Sequence, residues 1–181
     1  GVYIPVNESR TFLFAPALRW RVGRNLDDSY NPIEYIEHIR PTATINTIWK
    51  AEPFIFNFRI TDGLSESDRG FSYNLGAAYN YEYSEKIELS FYTTAIYGSK
   101  TYNQTYFGIT SGQTWFGYPE YSARAGLKSI DFGANIKYKL TGAWTIESTA
   151  EVLRLTGVAA ESPIVRDPNQ FMLTLGASYS F

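Results

Sequence analysis

Hydrophobic and polar residues alternate with a period of two along most of the chain, and helical periodicity is hard to find. Between 171 and 181 every odd position is apolar, and the even positions are small or polar except for Met172. The same alternation predicts strands over 12–22, 42–50, 54–61, 71–83, 87–97, 130–140 and 144–156. These segments make eight long β-strands, and residues 1–6 are interpreted as the end of a ninth.

The connections between these strands alternate in length. Short turns are predicted at 7–10, 51–52, 84–85 and 141–143, and long loops at about 23–39, 62–69, 98–128 and 157–168. An up-and-down chain then has every short turn at one end of the strands and every long loop at the other, which is typical of bacterial outer-membrane barrels. We therefore predict an all-β fold, a transmembrane antiparallel up-and-down β-barrel that forms a single domain over 1–181.

A soluble barrel of the lipocalin type shows the same alternation, because the pattern alone does not tell which face is inside. Two features favour the membrane barrel. The polar face is rich in Ser, Thr, Asn, Gly and Ala, whereas a water-facing surface usually carries more Lys and Glu. Aromatic residues also gather near the strand ends, as they do in interfacial girdles. The candidate girdle residues are Trp20, Trp49, Tyr81, Tyr138, Trp144, Tyr179 and Phe181.

Composition narrows the possible functions. Charged residues make up 19% of the chain, below the ~25% of typical soluble domains. The chain has no Cys, a single His and a net charge of −2. We expect no nucleic-acid partner, because such proteins usually carry a basic surplus. We also expect no cofactor, no metal site and no catalytic residue.

An outer-membrane enzyme is the alternative that this composition leaves open. His38 lies beside Glu34 and Glu37 in the first long loop, and an acid–His pair could activate water. A single His beside two carboxylates is common by chance, so the protein is predicted not to be an enzyme. Asp27 and Asp28 in the same loop lack the ligand spacing of a divalent-cation site.

Charged residues on the polar face are candidates for the lining of the barrel interior. They are Arg19, Arg21, Lys50, Arg59, Glu82, Lys86, Glu88, Asp131, Lys137, Lys139, Glu147 and Glu151. One interpretation is a polar, mixed-charge channel or ligand-binding surface. The other, which is favoured here, is a network of ion pairs that fills the interior without conducting, because small barrels are usually filled by their own side chains.

The longest loop is unusually aromatic. Its candidate plug residues are Tyr106, Phe107, Trp115, Phe116 and Tyr118. So many aromatic side chains argue against disorder, and loops of this length are usually functional or disordered. A plug in the barrel mouth or packing over its rim is favoured here over an exposed adhesive surface.

Three stretches carry a resemblance to a known family. They are Gln104–Thr110, Pro119–Lys128 and Glu161–Arg166, and their order and spacing resemble the MltA-interacting protein (MipA)/OmpV family of Gram-negative outer-membrane proteins. The segments 16–18, 22–24 and 27–29 also fit that family. The resemblance covers nearly the whole chain and is sharpest in its last part.

The resemblance implies a fold, a location and a partner class. Family members have a signal peptide and further strands before the equivalent of Gly1, so we expect at least one more strand there and about 10–12 strands in the intact barrel. The implied function is a structural or scaffolding role that brings murein hydrolase and murein synthase together, or engages another envelope protein. The implied surroundings are outer-membrane lipids and lipopolysaccharide. A small-solute pore or ligand-binding barrel is the alternative function, and an adhesin that acts through the outer loops is the third.

Overall fold

In the computed structural model of the chain, the structure describes residues 2–3, 7–8, 11–22, 39–64 and 70–180. Eight long strands dominate them, as the alternation predicts. These are β3 (Phe12–Val22), β4 (Ile39–Ala51), β5 (Phe54–Gly63), β6 (Gly70–Ser84), β7 (Ile87–Gly98), β8 (Gly126–Lys139), β9 (Trp144–Leu155) and β10 (Asn169–Tyr179). Two short strands, β1 (Val2–Tyr3) and β2 (Asn7–Glu8), both pair with β3.

All strands join one antiparallel sheet in which each long strand pairs with the next along the chain. Short turns connect β4 to β5, β6 to β7 and β8 to β9, whereas longer segments connect β7 to β8 and β9 to β10. Arg19 on β3 and Gln170 on β10 line the same cavity. The sheet therefore curls far enough for its first and last long strands to face one interior, which agrees with the predicted up-and-down barrel.

The outward face of this sheet is apolar and exposed. Leu75, Phe171, Leu173 and Leu175 expose 64%, 71%, 67% and 76% of their surface. A soluble monomer rarely exposes a continuous apolar surface of this extent. The inward face carries small polar side chains that are buried, among them Thr42. This arrangement, apolar outside and polar inside, is that of a membrane barrel.

Aromatic rings form two belts on the outward face. At the short-turn end, Trp49 stacks on Phe56 with ring centroids 5.4 Å apart, and Trp144 contacts Tyr179 at 5.1 Å. At the long-loop end, Phe71 stacks on Tyr73 at 6.5 Å. Strand β6 carries aromatic residues of both belts, at Phe71 and Tyr81. Ten residues at ~3.4 Å each, tilted by ~45°, separate these two positions by about 24 Å along the barrel axis, close to the ~25 Å apolar band of outer-membrane barrels.

The described loops contain three helical elements. Helix α1 (Lys100–Phe107) follows β7, a 3₁₀ helix covers Ser111–Phe116, and helix α2 (Gly157–Ala160) follows β9. Among the described residues, none of the helices is long and apolar enough to cross a membrane. The alternation had predicted only loops in these segments, because its period identifies strands.

Candidate functional site

A cavity of about 570 Å³ lies inside the sheet at its long-loop end, and we call it the outer chamber. Each of the eight long strands contributes to its wall, and α1 contributes three aromatic side chains. Its lining residues are Arg19, Thr42, Thr44, Arg59, Thr61, Ser72, Asn74, Ile96, Tyr102, Tyr106, Phe107, Lys128, Leu153, Leu155 and Gln170. The volume lies within the ~300–1,000 Å³ of small-molecule sites.

The charged groups of the outer chamber are cationic. Arg19, Arg59 and Lys128 line it, and no carboxylate appears among its described lining residues. The Arg59 Nε donates to Asn46 Oδ1 at 3.3 Å, which fixes the orientation of the guanidinium. The Lys128 Nζ lies 3.5 Å from the Tyr102 hydroxyl and 5.7 Å from the centroid of that ring.

Lys128 reaches the interior because of a β-bulge. The pairing of β7 with β8 shifts between Ile96 and Tyr97, so that Ile96 opposes Ser129 while Tyr97 opposes Leu127. Lys128 is the extra residue, and a bulge of this kind re-aims the side chains around it. Strict alternation misses this register change, and the sequence carries no separate signal for it.

A second cavity of about 800 Å³ lies at the opposite end of the strands, and we call it the turn-side chamber. Its lining residues are Lys50, Glu52, Pro53, Ile55, Asn80, Tyr81, Glu82, Glu88, Leu89, Ser90 and Lys137. Both signs of charge are present there. Close by, the Lys139 Nζ lies 2.8 Å from Glu88 Oε1. The two chambers therefore differ in charge as well as in position.

Hydrogen bonds between inward side chains occupy the middle of the wall. The Tyr92 hydroxyl on β7 donates to Glu151 Oε2 on β9 at 2.7 Å, passing over Gly133 on the strand between them. A Cβ at Gly133 would overlap the Tyr92 ring, so only glycine leaves room for this contact. On the same wall, Asn135 Nδ2 donates to Glu147 Oε1 at 2.7 Å.

Residues 99–125 and 156–168 pack together over the outer chamber, and we call them the outer cap. Ser99 is the N-cap of α1, because its Oγ accepts from the Tyr102 amide at 3.2 Å. The same Oγ accepts from the Phe71 amide at 3.0 Å, which joins the helix start to β6. Gly98 leaves room for Asn103, since a Cβ at this position would overlap the Asn103 amide.

Asn103 fastens α1 to the barrel wall. Its side chain is completely buried, and its Nδ2 donates to Gly98 O at 3.2 Å and to Arg124 O at 2.8 Å. Gln104, the next residue of the helix, accepts from the Ala123 amide at 2.8 Å. These bonds connect the start of the longest loop to its end. The helix is thus held as a fixed roof of the chamber.

The two segments of the outer cap share a small apolar core. Phe107, Ala123, Leu155 and Ala159 form it. The buried Ser162 hydroxyl donates to Phe107 O at 2.6 Å.

Tyr121 joins the same two segments. Its hydroxyl donates to Val158 O at 2.7 Å. Burial, together with the carboxylate of Glu161, raises the pKa of the Tyr121 phenol above its usual value. The phenol therefore stays protonated and able to donate throughout the physiological pH range.

The sequence candidates fall into separate groups in the structure. Arg19 and Arg59 line the outer chamber, and Lys50, Glu82, Glu88 and Lys137 line the turn-side chamber. Asp131, Glu147 and Glu151 lie on the strands that form the wall, Lys139 pairs with Glu88, and Lys86 lies in the turn after β6. Tyr106 and Phe107 lie in α1, and Tyr118 is half-buried after the 3₁₀ helix.

The candidate girdle residues and the remaining candidates are placed as follows. Trp49, Tyr81, Tyr138, Trp144 and Tyr179 are exposed near the short-turn end of their strands. The side chains of Trp20, Arg21, Trp115 and Phe116, together with His38 and Phe181, lie outside the described residues. Sequence analysis missed Lys128 and Asn103 as site residues.

The described part of the chain contains no cluster of three or more His, Cys, Asp or Glu that could hold a metal ion. The interior offers guanidinium, ammonium, hydroxyl and amide groups together with apolar surface. Such groups bind and orient a solute through charge and hydrogen bonds.

Comparison with known proteins identifies the family. A family model described as "MltA-interacting protein MipA" matches residues 2–181. The chain belongs to the MipA family. This confirms the resemblance that the motifs in the last part of the sequence carry.

Two curated relatives of this MipA-family chain are outer-membrane proteins. Omp26La of Vibrio anguillarum is 31% identical over 85 residues, and OmpV of Vibrio cholerae serotype O1 is 32% identical over 85 residues. Each match covers 47% of this chain and 33% of the relative, so the aligned segment spans about a third of those proteins. With the apolar outer face, these relatives show that the MipA-family chain is a Gram-negative outer-membrane protein with a β-barrel fold. Neither the family description nor the relatives' names denote an enzyme.

Proposed function

We propose that this protein is a non-enzymatic conduit or binding barrel for small solutes, with its outer mouth narrowed by the outer cap. The observation that carries the proposal is the pair of polar chambers at the two ends of the strands, lined by inward side chains. Cavities of this size are not expected where side chains fill a small barrel along its whole length. The apolar belt outside supports a further proposal, that membrane lipids, including lipopolysaccharide in the outer leaflet, surround the wall.

Liposome swelling tests the conduit. The full-length protein is reconstituted and challenged with solutes of increasing size, and empty liposomes serve as the blank. Entry of small solutes and exclusion of larger ones is the expected result. If liposomes that contain heat-modifiable, folded protein behave like the blank, the conduit proposal is wrong.

A scaffold is the second candidate, and the family description favours it because it names an interaction with MltA. We propose that such a contact would involve a murein-remodelling enzyme at the short-turn end, which faces the periplasm in outer-membrane barrels. The described turns are short, at 52–53, 85–86 and 140–143, and specific interfaces usually bury ~800 Å² on each partner. A scaffold would therefore need surface beyond these turns.

Pull-down of an MltA-type transglycosylase tests this second candidate. The turns at 85–86 and 140–143 are replaced by Gly-Ser sequences of equal length, and a variant of the exposed Glu120 in the outer cap serves as control. The scaffold predicts that the turn variant loses the enzyme and the control retains it. Equal capture by both variants and by wild type would place any contact elsewhere.

A further inference from the structure

The outer chamber holds three cations without a carboxylate among its described lining residues, whereas the turn-side chamber combines Lys50 and Lys137 with three glutamates. Arg19 lies close enough to Arg59 to repel it electrostatically. Two guanidinium charges held this close are costly in a chamber whose walls are surrounded by lipid, because the low dielectric weakens screening, whereas Lys128 also interacts with the carboxylate of Asp131. A bound anion would relieve this repulsion.

Two of the cations of the outer chamber have threonine hydroxyls between them, of which that of Thr42 donates to Arg19 O at 3.4 Å. Arg19 and Arg59 lie on β3 and β5, on either side of β4, and Thr42 and Thr44 of that strand also line the chamber. Thr44 shares a hydrogen bond of 3.3 Å with the Thr61 hydroxyl. A guanidinium group donates two parallel hydrogen bonds to the oxygens of a carboxylate or phosphate, and nearby hydroxyl groups add further hydrogen bonds to such an anion.

The other side of the outer chamber is mainly apolar, and Lys128 beside Tyr102 is the charged group among the described lining residues on that side. Leu153 and Leu155 contribute from β9, and Tyr102 and Tyr106 contribute from α1 with ring centroids 4.7 Å apart. Phe107 completes this surface. A fully hydrated inorganic ion would gain nothing from these groups, whereas an aromatic or aliphatic body would bury its surface against them.

We propose that the outer chamber binds a small organic anion. Its carboxylate or phosphate lies against Arg19 and Arg59, and its apolar body lies beneath α1 against Tyr102 and Leu153. This inference rests on the proposed solute-binding interior and names the ligand class of its outer end. The charge difference between the two chambers would then have a function. The cationic outer chamber would bind the anion, and the turn-side chamber, with its mixed charges, would bind it weakly and release it.

Calorimetric titration of the full-length protein in detergent tests the proposal. The probes are benzoate, phenyl phosphate and benzylammonium, which share the aromatic body and differ in the charged group, and each is corrected by titration into protein-free micelles. The expected result is binding of one or both anions and no heat with benzylammonium. The tighter of the two anions identifies the preferred head group.

Substitutions then locate the site. Arg59→Gln should weaken anion binding by about tenfold or more, because a charge-assisted pair is lost. Lys86→Gln removes the same charge from the exposed turn after β6, outside the described lining of both chambers, and should leave the affinity within about twofold. Heat-modifiable mobility on gels reports folding, and Arg19→Gln replaces Arg59→Gln if the latter does not fold.

Three outcomes would overturn the anion site: equal binding of benzoate and benzylammonium, no heat with either anion, or equal losses in Arg59→Gln and Lys86→Gln. The titration does not depend on transport. Anion binding without liposome swelling would therefore reject the conduit alone, and swelling without anion binding would reject the anion site alone.

Discussion

Replacing Asn103 with alanine should release the outer cap from the barrel wall. The completely buried side chain donates to Gly98 O at 3.2 Å and to Arg124 O at 2.8 Å. Each such bond contributes about 1 kcal/mol net, and a buried acceptor left without its donor costs somewhat more. The Asn103 Oδ1 is buried without a hydrogen-bond partner among the described residues, so its removal offsets part of this loss. We therefore expect local opening of α1 to become easier by about 1–2 kcal/mol, which corresponds to about 5- to 30-fold more frequent opening.

Hydrogen exchange measured by mass spectrometry on the reconstituted protein reports this opening. The informative amides are those of Asn103 and Gly108, which donate to Ser99 O and Gln104 O at 2.9 and 3.0 Å. Amides of the central strand β6 provide an internal reference that should not change. Thr101→Ala, on the exposed side of the same helix, serves as the matched control.

Accelerated exchange confined to the outer cap in Asn103→Ala, and absent in Thr101→Ala, is the predicted result. Exchange in Asn103→Ala within about threefold of wild type would refute the reasoning, because the two hydrogen bonds would then contribute little to holding α1. Equal acceleration in β6 would mean that the whole barrel is destabilised, which would also contradict a local fastening role.

Three further predictions concern the wall, the outer cap and the outward face. Gly133→Ala should lower the free energy of unfolding, measured in urea, by about 1–3 kcal/mol, because the new Cβ overlaps Tyr92. In a Tyr92→Ala background the same Gly133→Ala substitution should lower it much less. The Tyr121 phenol has a raised pKa, so its stabilising hydrogen bond should persist at low and neutral pH and be lost only as the pH rises through that raised value. In an alkaline difference spectrum, Tyr121→Phe should remove a phenol that ionises above the usual tyrosine range, and loss of one that ionises at the ordinary tyrosine pH would contradict this. Leu175→Arg should destabilise the barrel in lipid bilayers by about 2–4 kcal/mol, whereas Thr174→Arg on the inward face should cost clearly less, and equal costs would argue against lipid contact.

The barrel was predictable because its strands are amphipathic on a period of two. The sequence pattern predicts an apolar face at Phe171, Leu173 and Leu175, and the same three residues are among the most exposed in the described structure. In a membrane barrel the outward face contacts lipid, so the apolar positions of the sequence pattern are the exposed positions of the structure along the whole strand. The alternation alone does not distinguish a membrane barrel from a soluble one, and the family motifs added the outer-membrane location.

The contents of the interior were less predictable. Lys128 enters the outer chamber through a register shift, and a one-residue shift turns every following side chain to the other face. Asn103 and Tyr102 lie on a helix within a segment rich in Tyr and Thr, residues with weak helix propensity. Tertiary contacts of the outer cap stabilise that helix, and no local sequence signal reports them.

The sign of charge that the interior prefers tests the central claim most directly. The full-length protein is inserted into a planar bilayer under a tenfold KCl gradient, and the reversal potential of single-channel currents is measured. We predict steady, anion-selective steps, weaker selectivity in Arg59→Gln, and unchanged selectivity in Lys86→Gln in the exposed turn, because the cations of the outer chamber would favour chloride at the mouth. Cation-selective steps, or silence from protein that is folded by gel mobility, would contradict a solute-conducting interior controlled by its outer chamber.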